Sequence, residues 1–215
     1  DGYKDHFKYV FPILSSEKIS GCFYPPTNIF KGEILGVNKV HYILEKFNNK
    51  ETLLNEISSY LIKQFDIKIE KFVRKKTRLH NIKIPEYDDY ETITIKKILN
   101  KFLSPIISRK TCDYFFKKYV NSDFKAFSRE LYISSENLKE MSDNNMHIGS
   151  HGVDHLFWSD LNKLQQKIEI VNSKKFFNKK LVDLHNFSVC YPSGSYNSTT
   201  ITIMKEQKIK FALTS

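Results

Sequence analysis

The alternation of short apolar runs with amphipathic helical patterns is the feature that most constrains how this chain can fold. Strand-type runs occupy residues 19–24, 146–148, 187–191 and 209–213, and helical patterns occupy residues 4–15, 135–141 and 199–207. Strands that alternate with helices predict βαβ units and a largely parallel sheet. The fold class that this pattern indicates is therefore α/β.

The middle of the chain differs from its two ends, because helical patterns dominate it. An apolar stripe recurs there at helical spacing, at Leu44, Phe47, Leu54, Ile57 and Leu61. We therefore predict one 215-residue domain with a helical insertion at about residues 41–130. Beyond the insertion, Ser159 is predicted to cap a helix whose buried face is formed by Leu161, Leu164, Ile168 and Val171.

Charge and cysteine content argue against several classes of protein. The net charge of +10 includes a basic run between residues 68 and 78, which fits a solvated lysine-rich surface or a site for nucleic acid or an anionic glycan. The three cysteines, Cys22, Cys112 and Cys190, form no CxxC motif. This argues against a disulfide framework and favours a reducing compartment such as the cytoplasm. No apolar run approaches the ~20 residues that a membrane-spanning helix needs.

Two histidines four residues apart, His151 and His155, are candidate metal ligands. If the segment forms one helical turn, both imidazoles face the same way and can bind one Zn²⁺-like ion. The same pair also fits the exposed surface of a helix. Gly149 and Gly152 favour a site, because glycine allows the backbone to approach closely. Asp1 can provide a third ligand.

Three stretches of the sequence together resemble the polysaccharide deacetylases, the proteins with a NodB-homology domain. They are Asp1-Gly2, the run Ser150-His151-Gly152-Val153-Asp154-His155, and Cys190-Tyr191-Pro192-Ser193-Gly194. They match the end of the family's Thr-Phe-Asp-Asp-Gly motif and its second and third motifs, in the family's order. The resemblance covers about residues 1–30 and 130–215, and it implies a distorted, incomplete (β/α) barrel.

The resemblance also implies a metal site and a reaction. Asp1, His151 and His155 correspond to the family's metal ligands, so the expected cofactor is a divalent metal, Zn²⁺ or a similar ion such as Co²⁺. A carboxylate and two imidazoles leave open positions, as a catalytic metal requires. The reaction implied is hydrolysis of a carbon–nitrogen bond that is not a peptide bond, with release of acetate from an N-acetylated sugar.

The third motif implies further site residues. The backbone N–H of Ser193 corresponds to the donor that holds the oxyanion, and Tyr191, Pro192 and Gly194 correspond to one wall of the substrate groove. The family often has arginine where this chain has Cys190, which puts the usual contact of that arginine in doubt. We interpret Cys190 as an inert buried thiol.

A general base and a general acid are implied outside the chain. The base, the first of the family's adjacent aspartates, is expected directly upstream of Asp1, and a histidine acid is expected downstream of Ser215. The chain is thus expected to be clipped at both ends, which leaves the cell envelope and secretion open beside the cytoplasm. His147 and His185 match no motif, and we predict that they are solvated or structural.

The function that we predict is that of a metal-dependent deacetylase acting on an N-acetylated polysaccharide or oligosaccharide. Two alternatives remain open at this point. One is a basic helical module that binds nucleic acid or an anionic glycan through residues 68–78, although nucleic acid is not favoured. The other is a catalytically degenerate deacetylase-like domain that only binds sugar. The sequence does not indicate an oligomeric state.

Overall fold

The computed structural model describes residues 1–69, 88–180 and 187–214. The chain forms two compact units. One, here called the strand unit, consists of Asp1–Leu35 and Asp123–Ser215, and the other, called the helical unit, consists of Gly36–Ser122. Most of the basic run between residues 68 and 78 lies outside the described residues, and so does His185.

The strand unit contains four short strands. They are β1 (Cys22–Phe23), β2 (His147–Ile148), β3 (Ser188–Cys190) and β4 (Phe211–Leu213). β1 pairs with β2 and β3 pairs with β4, both in parallel, and a parallel bridge between Ser150 and Val189 connects the two pairs. The predicted parallel α/β arrangement is therefore confirmed, with strands shorter than the apolar runs. Within the described ranges no pairing closes the strands into a barrel.

Nine α-helices lie within the described ranges. They are α1 (Phe11–Ser16), α2 (Gly36–Glu45), α3 (Lys50–Phe65), α4 (Tyr90–Lys97), α5 (Pro105–Tyr119), α6 (Phe124–Leu131), α7 (Ser135–Asp143), α8 (Lys163–Lys180) and α9 (Ser198–Glu206). A π-helical segment, His6–Val10, precedes α1, and another, Ile98–Phe102, follows α4. None of the helices described is long and apolar enough to cross a bilayer.

Side-chain caps explain where several helices begin. Ser134 caps α7 and Asn197 caps α9, each with a reciprocal capping box. The first turn of α8 is held by Asn162 and Gln165, whose side chains each accept the backbone N–H of the other. The prediction that Ser159 caps this helix is therefore wrong. Ser159 lies in a 3₁₀ turn, and its hydroxyl bonds to that of Ser195 at 2.8 Å.

The buried face of α8 also differs from the prediction. Leu161 is buried, but Leu164 and Ile168 are exposed by 68% and 46%. The residues that α8 buries are Gln166, Glu169, Ile170, Ser173 and Phe177, and three of these five are polar. The prediction was wrong because it chose the buried face of α8 from the hydrophobicity of its residues alone. Hydrogen bonds offset the cost of burying polar side chains. The face of α8 that carries Gln166 and Glu169 is therefore buried, and the face that carries Leu164 and Ile168 is exposed.

The helical unit has its own apolar core, to which α2, α3, α4 and α5 contribute. Ile43, Leu53, Ile57, Ile95 and Phe115 are among its fully or almost fully buried side chains. The predicted stripe is buried at Leu44, Ile57 and Leu61, while Phe47 and Leu54 are partly exposed. The predominance of helices that was predicted for the middle of the chain is confirmed by α2, α3, α4 and α5.

Candidate metal centre

The structure brings together the three predicted metal ligands. One carboxylate oxygen of Asp1 and one ring nitrogen each of His151 and His155 lie within 4.8 Å of one another. The Nε2 atom of His151 is 3.3 Å from Oδ1 of Asp1, and that of His155 is 3.4 Å from the same oxygen. Both imidazoles are about nine-tenths buried, whereas the aspartate side chain is 39% exposed.

The two histidines converge through a tight turn rather than through a helix. Residues 152–154 form the turn, with Gly152 at φ +78° and His155 at φ +57°, both in the left-handed region. The imidazole rings of His151 and His155 are 4.7 Å apart and nearly perpendicular. The two rings lie close together, as predicted. The predicted helical turn is wrong, because the positive φ values of Gly152 and His155 are incompatible with a right-handed helix.

One hydrogen bond determines which nitrogen of His151 faces Asp1. Its Nδ1 lies 2.7 Å from the carbonyl oxygen of Cys190, the last residue of β3. Because a carbonyl only accepts, Nδ1 carries the proton and Nε2 presents its lone pair to the site. Burial, together with the neighbouring His155, lowers the pKa of His151 to about 4, and burial also lowers the pKa of His155. Both rings are therefore neutral near pH 7.

The donor set fits a divalent metal. In tetrahedral Zn²⁺ sites with bonds of ~2.0–2.1 Å, ligand atoms are ~3.3–3.4 Å apart, close to the two distances measured from Asp1. A carboxylate oxygen facing the lone pair of a neutral imidazole is unfavourable, because both atoms are acceptors. A cation among the three residues would remove this repulsion. The backbone carbonyl that orients His151 is the kind of outer partner that metal-binding histidines have.

The third-motif residues follow directly after β3. Ser193 is exposed, with φ +53°, in the 3₁₀ turn Pro192–Gly194. Tyr191 is buried, and its ring stacks at 4.6 Å on the more exposed ring of Tyr196. The thiol of Cys190 is half-buried, and burial raises its pKa, which agrees with an unreactive thiol. The roles predicted for Ser193 and for the groove wall stay predictions.

His147, which is half-buried, and Glu169, which is buried, are two titratable residues near this region. The Nε2 atom of His147 lies 2.6 Å from the hydroxyl of Ser188, which agrees with a structural role. Glu169 was not identified from the sequence. It is only 3% exposed, burial raises its pKa to about 7, and it accepts hydrogen bonds from the turn between the two histidines. The spacing of residues 166, 169, 170, 173 and 177 on one helical face could have indicated it.

In the parallel α/β strand unit, one carboxylate and two imidazoles converge beside the strands. This arrangement is typical of a protein with a divalent-metal centre. Residues 107–212 match the family model described as polysaccharide deacetylase. The matched residues include both histidines and the third motif. The matched segment does not include Asp1, whose place in the site depends on the geometry above.

Two individual proteins illustrate the similarity. The YxkH protein of Bacillus subtilis (strain 168), whose name assigns it to the polysaccharide deacetylases, is 29% identical over 91 residues, which are 42% of this chain and 32% of that protein. The structure of Streptococcus pyogenes deacetylase PplD in complex with acetate matches with a TM-score of 0.39 and 24% identity, covering 49% of this chain and 50% of that chain. The chain thus spans half or less of the length of either protein.

Replacing Gly152 with alanine is expected to disturb the histidine turn. An added Cβ would lie 2.7 Å from Oε2 of Glu169 and 3.0 Å from Trp158, at a φ that favours glycine. We expect the free energy of unfolding to fall by about 1–3 kcal/mol and Zn²⁺ affinity to fall with it. Urea unfolding followed by circular dichroism measures the first, and metal titration the second.

Gly36→Ala is the matched control for this substitution. Gly36 begins α2, and an added Cβ would meet nothing within 4 Å. The control should leave Zn²⁺ affinity unchanged and stability equal or slightly higher. If Gly152→Ala behaved like the control, the turn would not need glycine at this position.

Proposed function

We propose that the protein is a metal-dependent hydrolase that removes acetyl groups from N-acetylated sugars of a polysaccharide. The observation that carries this proposal is the convergence of the Asp1 carboxylate with the Nε2 atoms of His151 and His155. The family match over residues 107–212 supports the reaction class. The distorted, incomplete barrel expected of this family is part of the same proposal.

Asp1, His151 and His155 would hold the metal, with Zn²⁺ or Co²⁺ as the expected ions. A bound divalent ion supplies Lewis acidity and a nucleophile derived from water at neutral pH. In the overall reaction, water adds to the acetyl carbonyl, the carbon–nitrogen bond breaks, and acetate and a free amino sugar are formed. The neutral state of both imidazoles keeps their lone pairs available as ligands, because protonated histidines cannot bind a metal.

The turn that follows β3 is proposed to hold the substrate. Ser193 would donate its backbone N–H to the oxyanion that develops on the acetyl oxygen. Tyr191, Pro192 and Gly194 would form one wall of the groove. Since Tyr191 is buried, its contribution would be to support the wall with its ring. A fixed donor of this kind stabilises a transition state because it needs no reorganisation during the reaction.

Two measurements on the protein test this proposal. Elemental analysis should find about one divalent ion per chain, and the metal-loaded protein should release acetate from N-acetylated chitin-type oligomers. Removal of the metal with a chelator should abolish this release, and Zn²⁺ or Co²⁺ should restore it. Metal binding without acetate release, together with oligosaccharide binding, would instead favour a domain that only binds sugar. Absence of metal binding would refute the proposed mechanism.

A further inference from the structure

The turn that joins the two histidines is held on one side by the backbone of residues 27 and 28. The amide of Thr27 donates to the carbonyl of Gly152 at 3.0 Å, and the amide of Asn28 donates to the carbonyl of Val153 at 3.1 Å. These bonds fix the carbonyl side of the turn against the segment after β1. They leave the amide side of the same turn to be held by other groups.

Side chains hold the amide side of the turn. The amide of Gly152 donates to the hydroxyl of Ser150 at 3.0 Å. The amides of Val153 and Asp154 both donate to one oxygen, Oε2 of Glu169, at 2.8 and 3.1 Å. Every backbone N–H between the two histidines thus donates to a side chain, and the carboxyl group of Glu169 accepts two of these three hydrogen bonds.

We propose that Glu169 is a positioning residue for the metal centre, because it fixes the separation of His151 and His155 by holding the two amides that lie between them. This inference rests on the proposed metal-dependent function. A carboxyl group that is 3% exposed is costly to bury, and this one accepts two backbone hydrogen bonds from the turn. Without an acceptor at this position, the two amides would be buried without partners and the turn would rearrange.

The proposal depends on the reach and the acceptor geometry of the side chain rather than on its charge. Glu169→Gln keeps an oxygen at the same distance from the backbone and removes the charge. Glu169→Asp keeps the charge but is shorter by one methylene, so its oxygen cannot reach both amides. We therefore expect Glu169→Gln to bind Zn²⁺ nearly as tightly as the wild type. Glu169→Asp should lose ~10–100-fold in affinity, as metal sites do when an outer partner is removed.

Gln166 provides a matched control on the same helix. It is 1% exposed, and its amide group donates to the carbonyl of Leu161 and accepts from the hydroxyl of Thr200. Gln166→Leu removes an equally buried polar group of α8 whose hydrogen-bond partners lie outside the histidine turn. It should lower stability and leave Zn²⁺ affinity within about threefold of the wild-type value, well inside the loss expected for an outer metal partner.

The experiment is a titration of the metal-free protein with Zn²⁺ in competition with a chromophoric chelator, for the wild type and the three variants. The absorption spectrum of the Co²⁺-loaded protein gives a second readout, because its bands depend on the ligand geometry. The result expected is loss of affinity and an altered spectrum for Glu169→Asp, and rescue of both by Glu169→Gln.

Each other outcome overturns the inference. Equal losses in Glu169→Asp and Gln166→Leu would show a merely structural role, and loss in Glu169→Gln would show that charge is needed. If the wild type binds Zn²⁺ and all variants match it, the positioning role is refuted while the proposed function stands. If the wild type binds no Zn²⁺, the proposed function fails first, and the inference fails with it.

Discussion

Replacing His151 or His155 with alanine is expected to remove the bound metal and to reduce acetate release by more than ~10²-fold. Loss of an outer partner of a metal ligand typically lowers affinity by ~10–100-fold, and loss of a ligand itself should cost more. The remaining carboxylate and single imidazole would hold Zn²⁺ weakly. Elemental analysis after dialysis and the acetate assay measure the two effects separately.

The control for this experiment is His41→Ala. His41 is an exposed histidine on α2 in the helical unit, and it is not among the three clustered candidate metal ligands. The control should retain both metal and activity. Circular dichroism should show that all three variants keep their helical content, because neither His151 nor His155 lies in a helix and His41 is exposed. Full metal occupancy in a variant that lacks both His151 and His155 would refute the assignment of the site.

Replacing Trp158 with alanine is expected to lower the free energy of unfolding of the strand unit by about 3–5 kcal/mol. Trp158 is the only tryptophan of the chain and is fully buried. Its ring packs edge-on against that of Tyr191, with the centroids 5.9 Å apart. The substitution would leave a cavity where the histidine turn meets the third-motif turn. Chemical unfolding followed by circular dichroism measures the loss.

Two further variants make this result specific. Trp158→Phe keeps most of the apolar volume and should lose much less stability than the alanine variant. Leu164→Ala truncates a side chain of α8 that is 68% exposed, and it should change stability by no more than about 0.5 kcal/mol. A small effect of Trp158→Ala would mean that the surrounding side chains collapse into the cavity, and that Trp158 does not hold the two turns together.

Local signals made much of the fold predictable. The strand-type runs near residues 22, 147, 189 and 212 contain the four parallel strands, and the helical pattern at residues 135–141 is present as α7. The convergence of the two histidines and Asp1 was also predicted from the sequence, because their residue types and their order match family motifs. Such features depend on a few neighbouring residues, which is why a single sequence suffices for them.

The features that the sequence did not reveal depend on contacts between distant residues. The turn between the histidines is shaped by the amides of Thr27 and Asn28 and by the carboxyl group of Glu169. The outward orientation of Leu164 on α8 follows from the buried partners of other residues on that helix. Hydrophobicity patterns contain no information about such hydrogen bonds, so the buried face of α8 and the role of Glu169 were missed.

The pairing of β1 with β2 has a consequence for how the protein folds. Cys22 pairs with His147, and the entire helical unit lies between them in the chain. The entropy of closing a loop grows only slowly with its length, by ~0.6 kcal/mol for each doubling, so the insertion reduces stability little. Contacts between distant residues do slow folding. Asp1 and the two histidines lie on opposite sides of the insertion in the sequence and can meet only after this slow step. Metal uptake during refolding should therefore follow the formation of the helices and mark the end of folding.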